Sequence, residues 1–203
     1  MKHEGWVRRV RGELGPDATD GQIEQLARYA ELLRTRGGAL GVVAATDLDR
    51  IEERHVSDGL RGVAYLPVGC RSVVDLGSGG GVPGIVFAIA RPDVEVVLTE
   101  VRRNRVAFLE LVADELRLAN VRVHWGRAEA LEGRFGACTA RAFASASATW
   151  GVARPLLEPE GVLLYWAGRS FDPDRDIPPD VHVQVQEADA LANGGPVVIM
   201  SAR

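Results

Sequence analysis

Lysine is almost missing from this chain. Of its 24 basic residues only Lys2 is a lysine, and every other one is an arginine. Cysteine is nearly as scarce. Cys70 and Cys138 lie far apart with no metal-ligand spacing around either, which argues against a disulfide scaffold or a zinc module and for a reduced, cytoplasmic protein without a bound metal. No apolar run approaches the roughly 20 residues that a membrane span requires. The opening MKHEGWVRRVRGELG lacks the apolar core of a signal peptide. A net charge of −4 argues against a general nucleic-acid coat but leaves room for a local basic face. The high Arg, Ala, Gly and Val content reads as genomic base bias, yet arginine is also the better residue for bidentate phosphate contacts.

What is present is ample apolar material, 46% of residues, enough for one domain of 203 residues with a modest appendage. Residues 1–69 read as a helical N-terminal extension. Thr19 and Gln22 have the spacing of a capping box, and Ile23, Leu26, Ala27, Ala30 and Leu33 follow at helical intervals until Gly37-Gly38. A second helix is expected from about Thr46 to just before Pro67. From residue 70 to 203 the pattern alternates. Strands are expected near 72–76, 94–99, 121–125, 135–140 and 161–166, with helices near 83–90, 102–118 and 145–156. Alternation of this kind implies a mostly parallel sheet covered on both faces. Two further strand-like runs, 181–186 and 196–201, flank Asn193-Gly194-Gly195 and suggest a terminal antiparallel hairpin. Trp125, Trp150 and Trp166 are expected in the core rather than as base-stacking platforms.

The most telling string is Val73-Val-Asp-Leu-Gly-Ser-Gly-Gly-Gly-Val-Pro-Gly84. A β-branched run ending in an acid suits the carboxyl end of a buried parallel strand. The glycines after it let main chain approach a ligand, and Pro83 suits the first turn of a helix. Two ligands compete for such a loop. Gly79 to Gly84 satisfies the dinucleotide pattern G-x-G-x-x-G, but it begins late after the strand, and Pro83 removes an N–H that a pyrophosphate would use. Asp75-x-Gly77-x-Gly79-x-Gly81 instead places a carboxylate beside the loop, repelling a pyrophosphate and suiting a ligand with ammonium and sulfonium groups. That describes S-adenosylmethionine. Glu100, ending the second strand, is the acid expected at a ribose. Ala128-Glu129, past the third strand, falls where adenine would lie.

Several motifs in order carry a resemblance. Glu53-Arg54-His55-x-x-Asp58, the extended loop Asp75 to Ile85 with proline before its last glycine, Arg105-Val-Ala-Phe-Leu109, Gly126-Arg-Ala-Glu129 and Ala140-Arg-Ala142 together resemble the RsmG (GidB) family of bacterial 16S ribosomal RNA guanine-N7 methyltransferases, over about Gln22 to Gly168. The resemblance implies a class I methyltransferase fold, an α/β Rossmann-like architecture with a mostly parallel seven-stranded sheet and a helical N-terminal extension. It implies that Gly77, Val82, Ala128, Glu129 and Arg141 hold the cofactor with Glu100, and our reading of the loop adds Asp75, Ser78 and Gly79. Arg141 and His55 are the candidate catalytic residues, Arg141 orienting cofactor or base and His55 helping to close the pocket or pairing with Asp58 on a helix face. Arg102, Arg103, Arg105, Arg122 and Arg127 are candidates for a phosphate-binding rim.

Three positions depart from the family pattern. Arg36 to Val42 replaces an aromatic-Asn…Asn-Leu-Thr segment, Ala167 stands where a lysine is common, and Asn104 where a basic residue is common. The expected partner is 16S ribosomal RNA or the 30S subunit, met by a monomer. A methyltransferase of this fold acting on another RNA or a small molecule, or a non-catalytic paralogue that binds S-adenosylmethionine, are the alternatives. The tetrapeptide N/D-P-P-Y/F of amino-group methyltransferases is absent, which speaks against an exocyclic amine as target.

Overall fold

Val73 and Val74 point to opposite faces of a strand, and both are completely buried, as only a strand covered on both sides requires. That strand, β1 (Ser72–Asp75), is central in a seven-stranded sheet. The computed structural model describes residues 2–188 and 194–203, with side chains from Glu4 onward. The remaining strands are β2 (Glu95–Glu100), β3 (Val121–Trp125), β4 (Phe135–Arg141), β5 (Leu157–Trp166), β6 (Val181–Gln186) and β7 (Val197–Ala202). Their spatial order is β3-β2-β1-β4-β5-β7-β6. Strands β1 to β5 run parallel, while β7 pairs antiparallel with both β5 and β6. The expected terminal hairpin is therefore present, although Asn193 of its connection lies outside the described residues.

The chain winds outward from β1 through β2 to β3, then returns to the far side of β1 with β4. The connections diverge at that point and leave a crevice above the carboxyl ends of β1 and β4. Four helices accompany the sheet: α4 (Gly84–Ala90), α5 (Arg103–Glu115), α6 (Ala146–Ala153) and the short α7 (Pro173–Asp176). Before them come α1 (Lys2–Leu14), α2 (Asp20–Leu32) and the single turn α3 (Asp58–Leu60). The capping box at α2 is complete: the Gln22 amide donates to Thr19 Oγ1, and the Thr19 amide donates to the Gln22 side chain.

Helix α1 lies outside the elements expected from the pattern, although Trp6 and Val10, one turn apart, are both buried. The anticipated second helix is broken. A 3-10 segment (Ala45–Arg50) and a π-helical segment (Glu52–Ser57) precede α3. The wider π turn carries His55, Val56 and Ser57 inward together, which a regular helix would not do for three successive residues.

One apolar cluster runs through Trp6, Leu26, Leu33, Ile51 and Leu60 into Val73, Ile85, Phe87 and Leu98, so the lead-in shares its core with one face of the sheet. A second cluster around Val74, Cys138, Trp150 and Leu163 fills the other face. Both cysteines are buried free thiols. Trp150 and Trp166 are core residues as expected, but Trp125 is 60% exposed. Trp125 ends β3, one of the two edge strands of the sheet. Among the described residues no helix is long and apolar enough to cross a membrane.

Trp166 joins the two parts of the chain. Its indole N–H donates to the Asp58 carbonyl at 2.8 Å, and its ring meets Phe87 edge-on with centroids 6.1 Å apart. Gly62 lies flat against that ring, where an added methyl would collide with both Trp166 and Phe87. Gly62→Ala should therefore lower the free energy of unfolding by about 1–3 kcal/mol, read from urea denaturation. An unchanged midpoint would contradict this packing.

Candidate functional site

The glycine loop between β1 and α4 is strapped to the end of β2. The Gly77 amide donates to Thr99 Oγ1 at 3.1 Å and the Ser78 amide to the Thr99 carbonyl at 2.8 Å. The Gly79 amide donates to Glu100 Oε2 at 3.1 Å. Such a path requires left-handed backbone at Gly77 (φ 65°), Gly79 (φ 57°) and Gly81 (φ 95°), which side chains with a Cβ resist. On its outer side the loop is fixed by the lead-in. Tyr29 of α2, fully buried, donates its hydroxyl to the Gly80 carbonyl at 2.8 Å.

Above the loop lies a cavity of about 280 Å³ lined by Gly77, Ser78, Gly79, Gly80 and Val82, by Leu33, Val42 and Val43 of the lead-in, and by His55, Arg105, Arg141 and Ala142. Six of the expected site residues therefore meet there: Gly77, Ser78, Gly79, Val82, His55 and Arg141. Four others are placed differently. Ala128 and Glu129 form a 3-10 turn past β3, Ala128 buried and Glu129 exposed, and neither lines this cavity.

Asp75, expected at the cofactor, lies elsewhere. Its carboxylate does not face the cavity but lies beneath the loop, only 1% exposed, accepting from Thr139 Oγ1 at 2.6 Å. Its Oδ2 lies against the start of α4, where a Cβ added to Gly84 would collide with it. Burial pushes this carboxyl above its ordinary pKa, against the opposing effect of the Thr139 hydrogen bond. The group braces the loop from below. Glu100 is likewise 5% exposed and engaged below the cavity wall, accepting from the amides of Gly79, Val101 and Arg102.

Arg105 is also relocated. Of the five arginines expected at a basic rim, this one turns inward: its guanidinium reaches the Gly41 carbonyl at 3.1 Å and comes within 3.7 Å of Glu100, while its buried Nε has no partner. The helical spacing of α5 carried a signal for this, since Arg105 lies beside the buried Val106 and one turn before Leu109. The substituted segment after α2 takes part as well. Leu40 accepts from the Asn104 side chain, and Val42 reaches the cavity.

At the carboxyl end of β4, Arg141 joins the two parts of the chain again. It donates to the Arg54 carbonyl at 3.0 Å, approaches Asp58 Oδ2 at 3.3 Å and bonds His55 Nδ1 at 2.7 Å. His55 and Asp58 thus meet through Arg141 rather than as a helix-face pair. Ala142, immediately after, is held at φ 55°, an uncommon conformation for a residue with a Cβ. Phe143, 37% exposed, then packs its ring on Gly77. A second cavity, about 370 Å³, opens beyond this turn. It shares His55, Arg141 and Ala142 with the first, and Asp47, Tyr165, Trp166 and Ala167 complete much of its wall. The arrangement is two adjoining compartments with one Arg-Ala turn between them, and an acid, a neutral imidazole and a guanidinium fixed at the boundary.

The family model for rRNA small subunit methyltransferase G (GidB) matches residues 22–175. The chain is 42% identical over 143 residues to ribosomal RNA small subunit methyltransferase G of Acidothermus cellulolyticus, covering 70% of this chain and 64% of that relative. It is 35% identical to the protein of that name from Neisseria gonorrhoeae over 100% of both chains. It spans less than two thirds of the length of several curated relatives it matches. Among solved structures, an O-methyltransferase from Bacillus cereus in complex with SAH superposes with a TM-score of 0.65 at 15% identity, over 93% of each chain. The sheet described above is therefore the class I methyltransferase fold.

Burial, and after it the charge of Arg141, lowers the His55 imidazole from its usual 6.5 to about 4. Between those values the unfolded chain takes up a proton that the native one refuses, so stability should fall as pH drops from about 6.5 to about 4. An NMR titration of the His55 ring should show a midpoint near pH 4 that rises in Arg141→Ala. A native midpoint near 6.5 would contradict the burial and the coupling.

Proposed function

The chain belongs to the rRNA small subunit methyltransferase G family, and on that premise we propose that it transfers a methyl group from S-adenosylmethionine to guanine N7 of 16S ribosomal RNA. The observation that carries the reading is the pair of adjoining cavities, one floored by the glycine loop and the other meeting it at Arg141 and Ala142. A donor and an acceptor held in two compartments that share a wall is the geometry a direct group transfer needs.

The residues fit the donor. Gly80 faces Leu33 and Val42 so closely that a Cβ there would fill the space beside it, and Val82 supplies an apolar wall. Gly77, Ser78, Gly79 and Val82 would hold the methionine and ribose portions, with Glu100 beneath and Ala128-Glu129 toward the adenine. The cofactor supplies a sulfonium methyl activated for transfer. The protein's own part is positioning. Guanine N7 carries a lone pair and no proton, so no side chain has to remove one. His55, kept neutral, and Arg141, anchored by Asp58 and the Arg54 carbonyl, keep the shared wall in place without adding a mobile charge. Asp47 and Asp58 line the second compartment, where positive charge on a methylated purine would find a compatible surface. We place the protein in the cytoplasm, where its substrate is assembled.

Calorimetry should detect S-adenosylmethionine binding at micromolar concentrations, and undermethylated 30S subunits should take up labelled methyl into 16S RNA as 7-methylguanine. Binding without label in the RNA would favour another acceptor, the reading that the changes at Asn104 and Ala167 motivate. Absence of binding would end both. Glu100→Gln, whose amide cannot accept all three backbone N–H groups as the carboxylate does, should weaken cofactor affinity by about 1–2 kcal/mol while circular dichroism stays native.

A further inference from the structure

Of the four tryptophans, three are at most 8% exposed, and Trp125 is 60% exposed. An exposed indole this large is unusual where no packing requires it, and this one is fixed in orientation. Its Nε1–H donates to the Val101 carbonyl at 3.2 Å, and the Arg103 guanidinium lies 5.6 Å from its ring centroid. Val101 beside it is 56% exposed. The guanidinium therefore leaves much of the indole surface open. Trp125 lines neither of the two cavities.

Arginines cluster near this ring in the chain, and Glu100, the register partner of Trp125 on β2, is taken up by backbone amides and by Arg105. Arg102, Arg103 and Arg127 are exposed, and among the described residues none of them pairs with a carboxylate. By contrast Arg105 faces Glu100 inside the site and Arg122 lies within 4.0 Å of Glu95. On an acidic protein, the Arg103 guanidinium at an aromatic plate, with Arg102 and Arg127 exposed close by in the chain, forms a local exception. An oriented aromatic ring flanked by free cations suits a nucleotide, whose base stacks on the ring while its phosphates meet the arginines. A protein partner would call for a wider apolar area than one indole and one valine.

We propose that Trp125, with Arg102, Arg103 and Arg127, is a single-stranded RNA contact outside the methyl-transfer site, in which a splayed base stacks on the indole. The contact would hold an RNA segment at the β3 edge of the crevice, beside the compartments where the target base is read. It rests on the RNA substrate argued above, and it adds an anchoring point that the reaction itself does not need. Phosphate contacts there would position the RNA, and the stacked base would add affinity with little sequence preference.

The test uses the intact protein with a fluorescein-labelled single-stranded oligoadenylate, followed by fluorescence anisotropy at fixed low salt. Trp125→Ala should weaken oligonucleotide affinity about tenfold, the loss expected for one base stack. Trp125→Phe should retain most of it, because a smaller ring still stacks. Arg103→Ala should lower both affinity and its salt dependence. Calorimetry should give the same S-adenosylmethionine affinity for all three variants as for the unsubstituted protein. Three results would overturn the proposal: unchanged oligonucleotide binding in Trp125→Ala, no binding by the unsubstituted protein, or a matching loss of cofactor affinity, which would assign the indole to the adenine end of the donor site. Failure of methyl transfer to 30S subunits would instead count against the enzymatic reading alone, because oligonucleotide binding is measured without it.

Discussion

The carboxylate of Glu100 is a charge taken almost entirely out of water, and the structure around it is arranged to make that tolerable. It accepts from three backbone amides and lies near the Arg105 guanidinium, so its lone pairs are met by fixed dipoles rather than by solvent. Those amides belong to the glycine loop and to the start of the segment leading into α5. One side chain thereby ties two pieces of backbone together at the carboxyl edge of the sheet. Thr99, the residue before it, holds Gly77 and Ser78 in the same way. This pair, together with Tyr29 at Gly80, holds glycines chosen for freedom to one shape. With it the loop is shaped before any ligand arrives, which lowers the ordering that binding must impose.

The lead-in completes what the sheet begins. Tyr29 secures Gly80 from outside, Leu33, Val42 and Val43 wall the first cavity, and His55 with Asp58 meets Arg141 across the second. Trp166, donating to the Asp58 carbonyl, fixes the same contact from the β5 side. These groups come from segments that share one apolar cluster with α4 and with one face of the sheet. The extension therefore acts as one wall of the site, and the compartments exist only where the two parts of the chain meet.

The parallel strands and their helices could be read directly from the chain. Short continuous apolar runs, a glycine loop with a proline and the helical spacing of Val106, Leu109 and Val112 in α5 each state one local preference, and no tertiary contact overrides them. The direction of Asp75 could not be read, because a strand-end acid can face the ligand or the helix beneath, and Thr139, sixty-four residues away, decides it. The π-helical segment around His55 was equally hidden, since its register follows from the contact with Arg141 rather than from its own sequence. Tyr29 offered a signal that periodicity alone undervalues: a residue with a polar tip on the apolar stripe of α2. Trp125 was misjudged by residue type. Hydrophobicity places a tryptophan inside, but β3 is an edge strand, and an edge position appears only once the strand order is known.

The central claim is that the loop strapped to Thr99 and Glu100 is the floor of a donor site. Its most direct measurement is the backbone amide spectrum of isotope-labelled protein during titration with S-adenosylhomocysteine. The account requires saturable shifts at Gly77, Gly79 and Val82 and at the neighbouring Val101, with β6 and β7 left unmoved. Shifts confined to other parts of the sheet, or none at ligand saturation, would contradict it.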